Sequence, residues 1–370
     1  VSGVLIVLGS FTILLLTAEI WARRGAKPEW TRKLVHLGGG LIGLALPWLI
    51  ESPWVVLILT ASLSALFLLG ERLDVMKSLH KVERKTRGSE YYPLAIWLVF
   101  VIAADRKWLY LAAVLTLAVA DACAALIGGS YGKHRYEVED EYKSVEGSVA
   151  FFIVAFFATS LPMLFMTTLP RATCVLSALL VAMLVTIFEA ISLRGTDNLF
   201  VPIAVVFVLQ KITTKTVPHI AMQNVALIAI VIVVLLIAHR IEWFNAGGAL
   251  TFILFLFATW SLGPHFRWVV PVVIGFAVLV IARVFIGRRD RRRLRVTAVS
   301  RTVIVPFLFL LAANTTSQFE RFYPSYIAAC AVVFAMIFAT MINTRIAAYR
   351  GWAAVTFLLS LVAGLAALAL

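Results

Sequence analysis

The chain has 370 residues, 62% of them hydrophobic and only 14% charged, with a mean hydropathy of +0.97 and a formal net charge of +14. Soluble domains carry about a quarter charged residues, so this composition excludes a soluble globular enzyme. Apolar runs near 20 residues recur along the whole length, without the polar–apolar alternation of a β-barrel, and this predicts an all-α, polytopic transmembrane bundle.

Fourteen spans are predicted in chain order: 2–21, 35–50, 52–70, 91–104, 108–128, 148–167, 172–192, 198–210, 222–238, 248–263, 268–286, 296–313, 323–343 and 351–370. With the N-terminus outside, the inside loops are 22–33, 71–90, 130–147, 193–197, 239–247, 287–301 and 344–350. They hold 25 of the 33 Lys and Arg, against 7 in the outside loops. This is the positive-inside pattern. The basicity therefore reads as orientation and affinity for anionic headgroups, not as nucleic-acid binding. No cleavable leader is evident, and Arg23 and Arg24 after the first span suit an uncleaved anchor. Cys123, Cys174 and Cys330 all fall within spans, with no ligand spacing, so neither a disulfide nor a zinc site is expected.

Residues 1–215 hold nearly all the unusual polar features, and 216–370 read as an additional six-span domain of uncertain role. The boundary is placed in a polar, Pro-containing connector over 211–223. The run Arg288 to Arg295 is read as a topological anchor that contacts lipid headgroups.

The polar segments of the first half gather on the inside face. The first is RKLVHLGGG, Arg32 to Gly40, where His36 follows Arg32 and Lys33. The second is RGSEYYPL, Arg87 to Leu94. The third runs from Asp121 to Ser148: a carboxylate in an apolar helix, then Gly128, Gly132 and Lys133, then Lys143, Ser144, Glu146, Gly147 and Ser148. The fourth is EAISLRGTDNLFVP, Glu189 to Pro202, with Asp197 and Asn198. A charge at bilayer depth is costly and marks a site or pathway. Asp121 lies roughly 10 Å before Gly128 and Glu189 roughly 8 Å before Arg194, so both acids reach similar depth under one face. Two acids near an anionic substrate need a cation between them, and Mg²⁺ is the natural one. Loop N–H groups and lysines beside them can hold phosphates.

Structural readings stand beside these. Ala124, Ala125 and Gly128 make a smooth face for helix packing. The glycines can end a helix, Ser144 can cap one, His36 can be a bonded structural residue, and Tyr91 and Tyr92 can anchor the water–lipid boundary. Asp197 and Asn198 can form a turn or cap, with Pro202 opening a gap behind them.

In these segments the chain resembles the CTP-dependent polyprenol kinase family, which includes dolichol and phytol kinases, and is distantly similar to phosphatidate cytidylyltransferases. The matching stretches come in the family's order and cover about residues 20–210. The resemblance implies Mg²⁺-dependent transfer of the terminal phosphate of CTP to a membrane-embedded isoprenoid alcohol at the cytoplasmic face. By position, Gly128 to Lys133 and Lys143 to Ser148, with Arg32 and Lys33, would form the nucleotide site. Asp121, Glu189, Lys143 and His36 would be catalytic, Asp121 and Asp197 would bind the metal, and Glu189 or His36 would take the alcohol proton. A cytidylyltransferase, a diacylglycerol kinase and a transporter are the rival readings. The expected location is the plasma membrane of a bacterium or archaeon, or the ER or a plastid membrane in a eukaryote. In the second half, NAGGALTFILF and Arg295 to Asn314 resemble distantly the integral-membrane family that includes phytyl-phosphate kinases, without its acidic active segment.

Overall fold

A computed structural model describes residues 2–26, 28–72, 88–139, 141–242, 244–286, 293–342 and 351–369. Arg87, most of loop 71–90, the arginines between 288 and 292, and loop 344–350 lie outside the described residues. The chain forms an all-α membrane bundle with one small hairpin. The predicted spans fall in helical segments, because backbone groups in lipid must bond within their own segment, but span 35–50 divides between two helices at Ala45. Among the described residues, nine helices are long and apolar enough to cross a membrane, and three shorter apolar helices accompany them.

The chain divides into two compact units, one of residues 1–136 and 143–224, the other of 137–142 and 225–370. The first unit contains α1 (Ser2–Arg23), α2 (Pro28–Leu44), the short α3 (Leu46–Leu49), α4 (Pro53–Arg72), α5 (Gly88–Ala103) and α6 (Lys107–Leu115). A π-helical turn, Thr116–Ala120, runs straight into α7 (Asp121–Tyr131). Three long helices follow the hairpin in this unit: α8 (Val145–Met166), α9 (Arg171–Ile191) and α10 (Asp197–Ile212). α8 packs on α9, α6 and α7, while α10 packs on α9, α5 and α6. Small residues make these approaches close: Ala112, Ala113, Ala155, Ala178 and Ala182 are fully buried in the core. The Tyr110 hydroxyl satisfies itself there by donating to the Gly43 carbonyl at 2.8 Å.

The connector predicted over 211–223 is shorter than expected. α11 (Val217–Ile241) already starts at Val217. Pro218 suits a first helical turn, where its missing N–H is no loss. The polar residues that made this stretch look like a loop are used inside the helix: Asn224 Nδ2 donates to the Leu176 carbonyl at 3.1 Å.

Residues 130–147, read as a loop, contain a two-stranded hairpin, β1 (Arg135–Val138) and β2 (Glu141–Ser144). The second unit comprises the hairpin tip, most of α11, α12 (Ala246–Leu262), a 3₁₀ turn (Phe266–Trp268), α13 (Val270–Ile286), α14 (Val296–Thr316), α15 (Phe319–Ile342) and α16 (Trp352–Ala369). Its core includes stacked Phe244, Phe252 and Phe276 rings and a Tyr326 hydroxyl that donates to the Trp268 carbonyl at 2.8 Å.

Candidate active site

The site lies in the first unit, where α2, α7, β2, the end of α9 and the start of α10 supply its polar side chains and the π turn supplies a backbone carbonyl. α2 comes close to the π turn because residue 40 is glycine. A Cβ there would lie 2.2 Å from Ala118 Cβ and 2.5 Å from the Tyr92 hydroxyl. One turn back on α2, His36 Nε2 reaches the Leu117 carbonyl at 3.2 Å and Asp121 Oδ2 at 3.2 Å. Lys33 Nζ donates to the same Oδ2 at 2.8 Å. The side chains of Lys33, His36 and Asp121 are only 14%, 14% and 19% exposed. Asp121, inside a segment long and apolar enough to cross a membrane, is therefore an acid paired with a cation 88 residues earlier in the chain. The π turn matters because its wider winding frees backbone groups, and such turns recur at functional sites. Tyr92 completes this corner. Its hydroxyl donates to the His36 carbonyl at 3.0 Å, and its ring lies 4.5 Å from the imidazole.

A second ion pair lies within electrostatic reach of the first. Lys143 Nζ donates to Glu189 Oε1 at 2.9 Å and also bonds the Glu189 carbonyl. Burial works against the Lys143 charge, but Glu189 and then Asp197 more than offset it and hold the ammonium above its ordinary value. Asp121 also feels the Lys143 charge, and Asp197 interacts with Asp121, Lys143 and Glu189. Asp121, Lys143, Glu189 and Asp197 thus share one electrostatic centre. Arg32 adds positive charge within reach of His36.

The α9–α10 loop brings Asp197 in through two left-handed residues, Arg194 (φ 53°) and Gly195 (φ 85°). Asn198 is buried, and its Oδ1 has no hydrogen-bond partner among the described residues. Pro202 lies inside α10 and lacks the amide that would bond the Asn198 carbonyl four residues back. One unsatisfied oxygen, Asn198 Oδ1, therefore sits on the residue next to Asp197.

The remaining predicted residues frame the site. Ser144 caps α8, its hydroxyl accepting from Gly147 N at 3.2 Å. Gly128 and Gly132 let α7 end against Ser144: a Cβ on either would come 2.8 Å from its hydroxyl oxygen. Glu146 pairs with His134, Nδ1 to Oε1 at 2.7 Å, and accepts the His134 N–H. Ser148 bonds the Tyr136 hydroxyl at 2.7 Å. The Lys133 side chain is exposed and stays outside the ion-paired cluster. Sequence reading did not single out His134 or Tyr136, and treated Tyr92 only as a boundary aromatic. A tyrosine one turn into a span, facing a histidine, was the available signal for the last.

A phytol kinase from Synechocystis sp. is 33% identical over 197 residues, which span 51% of this chain and 82% of the relative. The chain belongs to the polyprenol and phytol kinase family. No family model matches, and no solved structure matches.

For a divalent metal, the donor chemistry fits. Lys33 and His36 both engage Oδ2 of Asp121, leaving Oδ1 to a ligand. Asp197 and Asn198 Oδ1 add hard donors, as Mg²⁺ prefers. Among the described residues, no three His, Cys, Asp or Glu side chains cluster as a ready-made cage. That suits Mg²⁺, which takes one or two carboxylates and completes its shell with water and substrate phosphates.

Proposed function

We propose that this protein is a membrane lipid kinase that transfers the terminal phosphate of CTP to a long-chain isoprenoid alcohol at the cytoplasmic face. The observation that carries this reading is the pairing of two membrane-depth carboxylates with two lysines from distant segments, Lys33–Asp121 and Lys143–Glu189, in one centre. The relative's name as a phytol kinase supports the class of acceptor. The full reading has fourteen spans and the N-terminus outside, supported by the loop charge asymmetry.

Phosphoryl transfer needs alignment and charge neutralisation more than covalent help from the protein. Asp121 and Asp197, with Asn198, would hold Mg²⁺, which when bound neutralises the triphosphate. Lys33 and Lys143 exchange part of their carboxylate contacts for non-bridging phosphate oxygens. The bilayer presents the alcohol sideways, its tail staying among the spans. The alcohol oxygen attacks the γ-phosphorus, the bond from that phosphorus to the β-bridging oxygen breaks, and CDP leaves. The alcohol proton passes to the enzyme. His36 is the better-placed base: its Nε2–H is held by Asp121 and the Leu117 carbonyl, which leaves Nδ1 as the acceptor and favours the imidazolium that forms. Glu189 is the second choice because Lys143 already engages it.

The test is purified protein with terminally labelled CTP or ATP against a panel of prenols and diacylglycerol. The expected result is label on a prenol, CDP as the co-product, and dependence on Mg²⁺. Release of pyrophosphate would make the chain a cytidylyltransferase, and label on diacylglycerol would change the acceptor.

A further inference from the structure

The hairpin that carries Lys143 is too small to hold its own shape. Each strand has four residues, and an isolated two-stranded hairpin is at best marginally stable in water. Its base is pinned in the first unit by the Tyr136–Ser148 and His134–Glu146 bonds. Its tip, Glu137–Tyr142, packs as part of the second unit.

Three contacts hold that tip. Val138 is fully buried, and it rests on Gly247 at the start of α12: a Cβ on Gly247 would lie 3.2 Å from Val138 Cγ1 and 2.5 Å from Val296 Cγ2. Glu137 approaches Arg295, Oε1 to Nη2 at 3.5 Å. Glu139 Oε1 accepts the Thr297 N–H at 2.5 Å. Thr297 is the second residue of α14, whose own N-cap residue, Arg295, makes no side-chain cap bond. Glu139 therefore supplies, from 158 residues away, the carboxylate that a helix N-terminus attracts. Glu139 does so in a left-handed conformation, φ 54°, which disfavours any side chain and is kept only where the surroundings demand it.

We infer that Glu139, through its cap on α14, is a positioning residue for Lys143, and that the second unit serves the kinase by clamping the catalytic hairpin. The inference rests on the reading of Lys143 as part of the phosphate centre. Lys143 lies one residue beyond the clamped tip, on the strand paired with β1. A loosened tip frays that strand and lets Nζ leave Glu189.

The test uses full-length Glu139→Ala, Glu139→Gly and Thr297→Pro in detergent or nanodiscs. Glu139→Gly removes the cap but relieves the left-handed strain. Thr297→Pro removes the donor at a first-turn position where proline is tolerated. Hydrogen exchange is followed at 135–144 and 296–299, with the spans as internal reference. The expected result is about tenfold faster exchange in both segments for all three variants. The KM for the nucleotide donor should rise about tenfold, with the KM for the alcohol unchanged. Unchanged exchange at 141–144 overturns the clamp. Faster exchange with an unchanged donor KM overturns the positioning role. Failure of the underlying reading shows separately, as wild-type protein that phosphorylates no prenol.

Discussion

Replacing Lys143 by Met leaves Glu189 charged and enclosed. Nζ stands 2.9 Å from Oε1, and the two side chains are 18% and 12% exposed. At an effective dielectric of about 20, unit charges at this separation attract by about 6 kcal/mol, most of it offset by desolvation. Removing one partner of such a pair costs about 3–5 kcal/mol, because the other charge stays buried without compensation. Lys143→Met and Glu189→Gln should each lower stability by about that amount. The double variant leaves no unpaired charge at residue 189, so it should recover about 2 kcal/mol relative to the additive sum. Turnover should behave differently. If the pair belongs to the phosphate centre, all three variants lose about 100- to 1000-fold in kcat/KM, the double included. Thermal unfolding in micelles, followed by tryptophan fluorescence, reads the first quantity, and label transfer reads the second. A double variant with wild-type turnover would reduce the pair to a structural bridge, and strictly additive melting shifts would refute the coupling.

Further outcomes follow from the same contacts. Gly132→Ala should destabilise the site and cut activity, since its Cβ would lie 2.2 Å from the Gly128 carbonyl oxygen, whereas Gly129→Ala, which meets nothing within 4 Å, should be neutral. Melting curves and turnover check both. Tyr92→Phe removes the hydroxyl held by the His36 carbonyl, and should lower kcat about 5- to 20-fold with the donor KM unchanged. The raised pKa of Lys143 fixes a sign. Its contribution to stability is complete below the unfolded lysine value of about 10.4 and is lost only as pH rises through the higher folded value. The melting shift caused by Lys143→Met should therefore be the same at about pH 8 and about pH 9.

The helices were legible because lipid leaves the backbone few choices, and the apolar runs marked them even where Pro93, Pro162 and Pro202 lie inside. The connector was misjudged because His219, Gln223 and Asn224 read as solvent residues, while in α11 Asn224 bonds the Leu176 carbonyl and the Ile220 carbonyl. The hairpin was missed because RYEV and EYKS are short and charged, and no glycine lies between them to signal a turn. In the site, Asp121, Glu189, Lys143 and His36 were found as a group from depth and loop clustering. Their pairing was not, because partners 88 and 46 residues apart leave no periodic trace in the sequence. Glu189 had only Arg194 nearby in sequence, yet its cation comes from the hairpin.

The central claim is that one ion-paired centre below the membrane surface moves a phosphate. The most direct measurement is single-turnover label transfer by Asp121→Asn, made beside a melting curve of the same preparation. Asparagine keeps an oxygen to accept from Lys33 but gives up the negative charge. Loss of phosphoprenol formation by about a thousandfold in a protein that still melts cooperatively is the predicted result. A folded Asp121→Asn protein that transfers label at the wild-type rate would contradict the account.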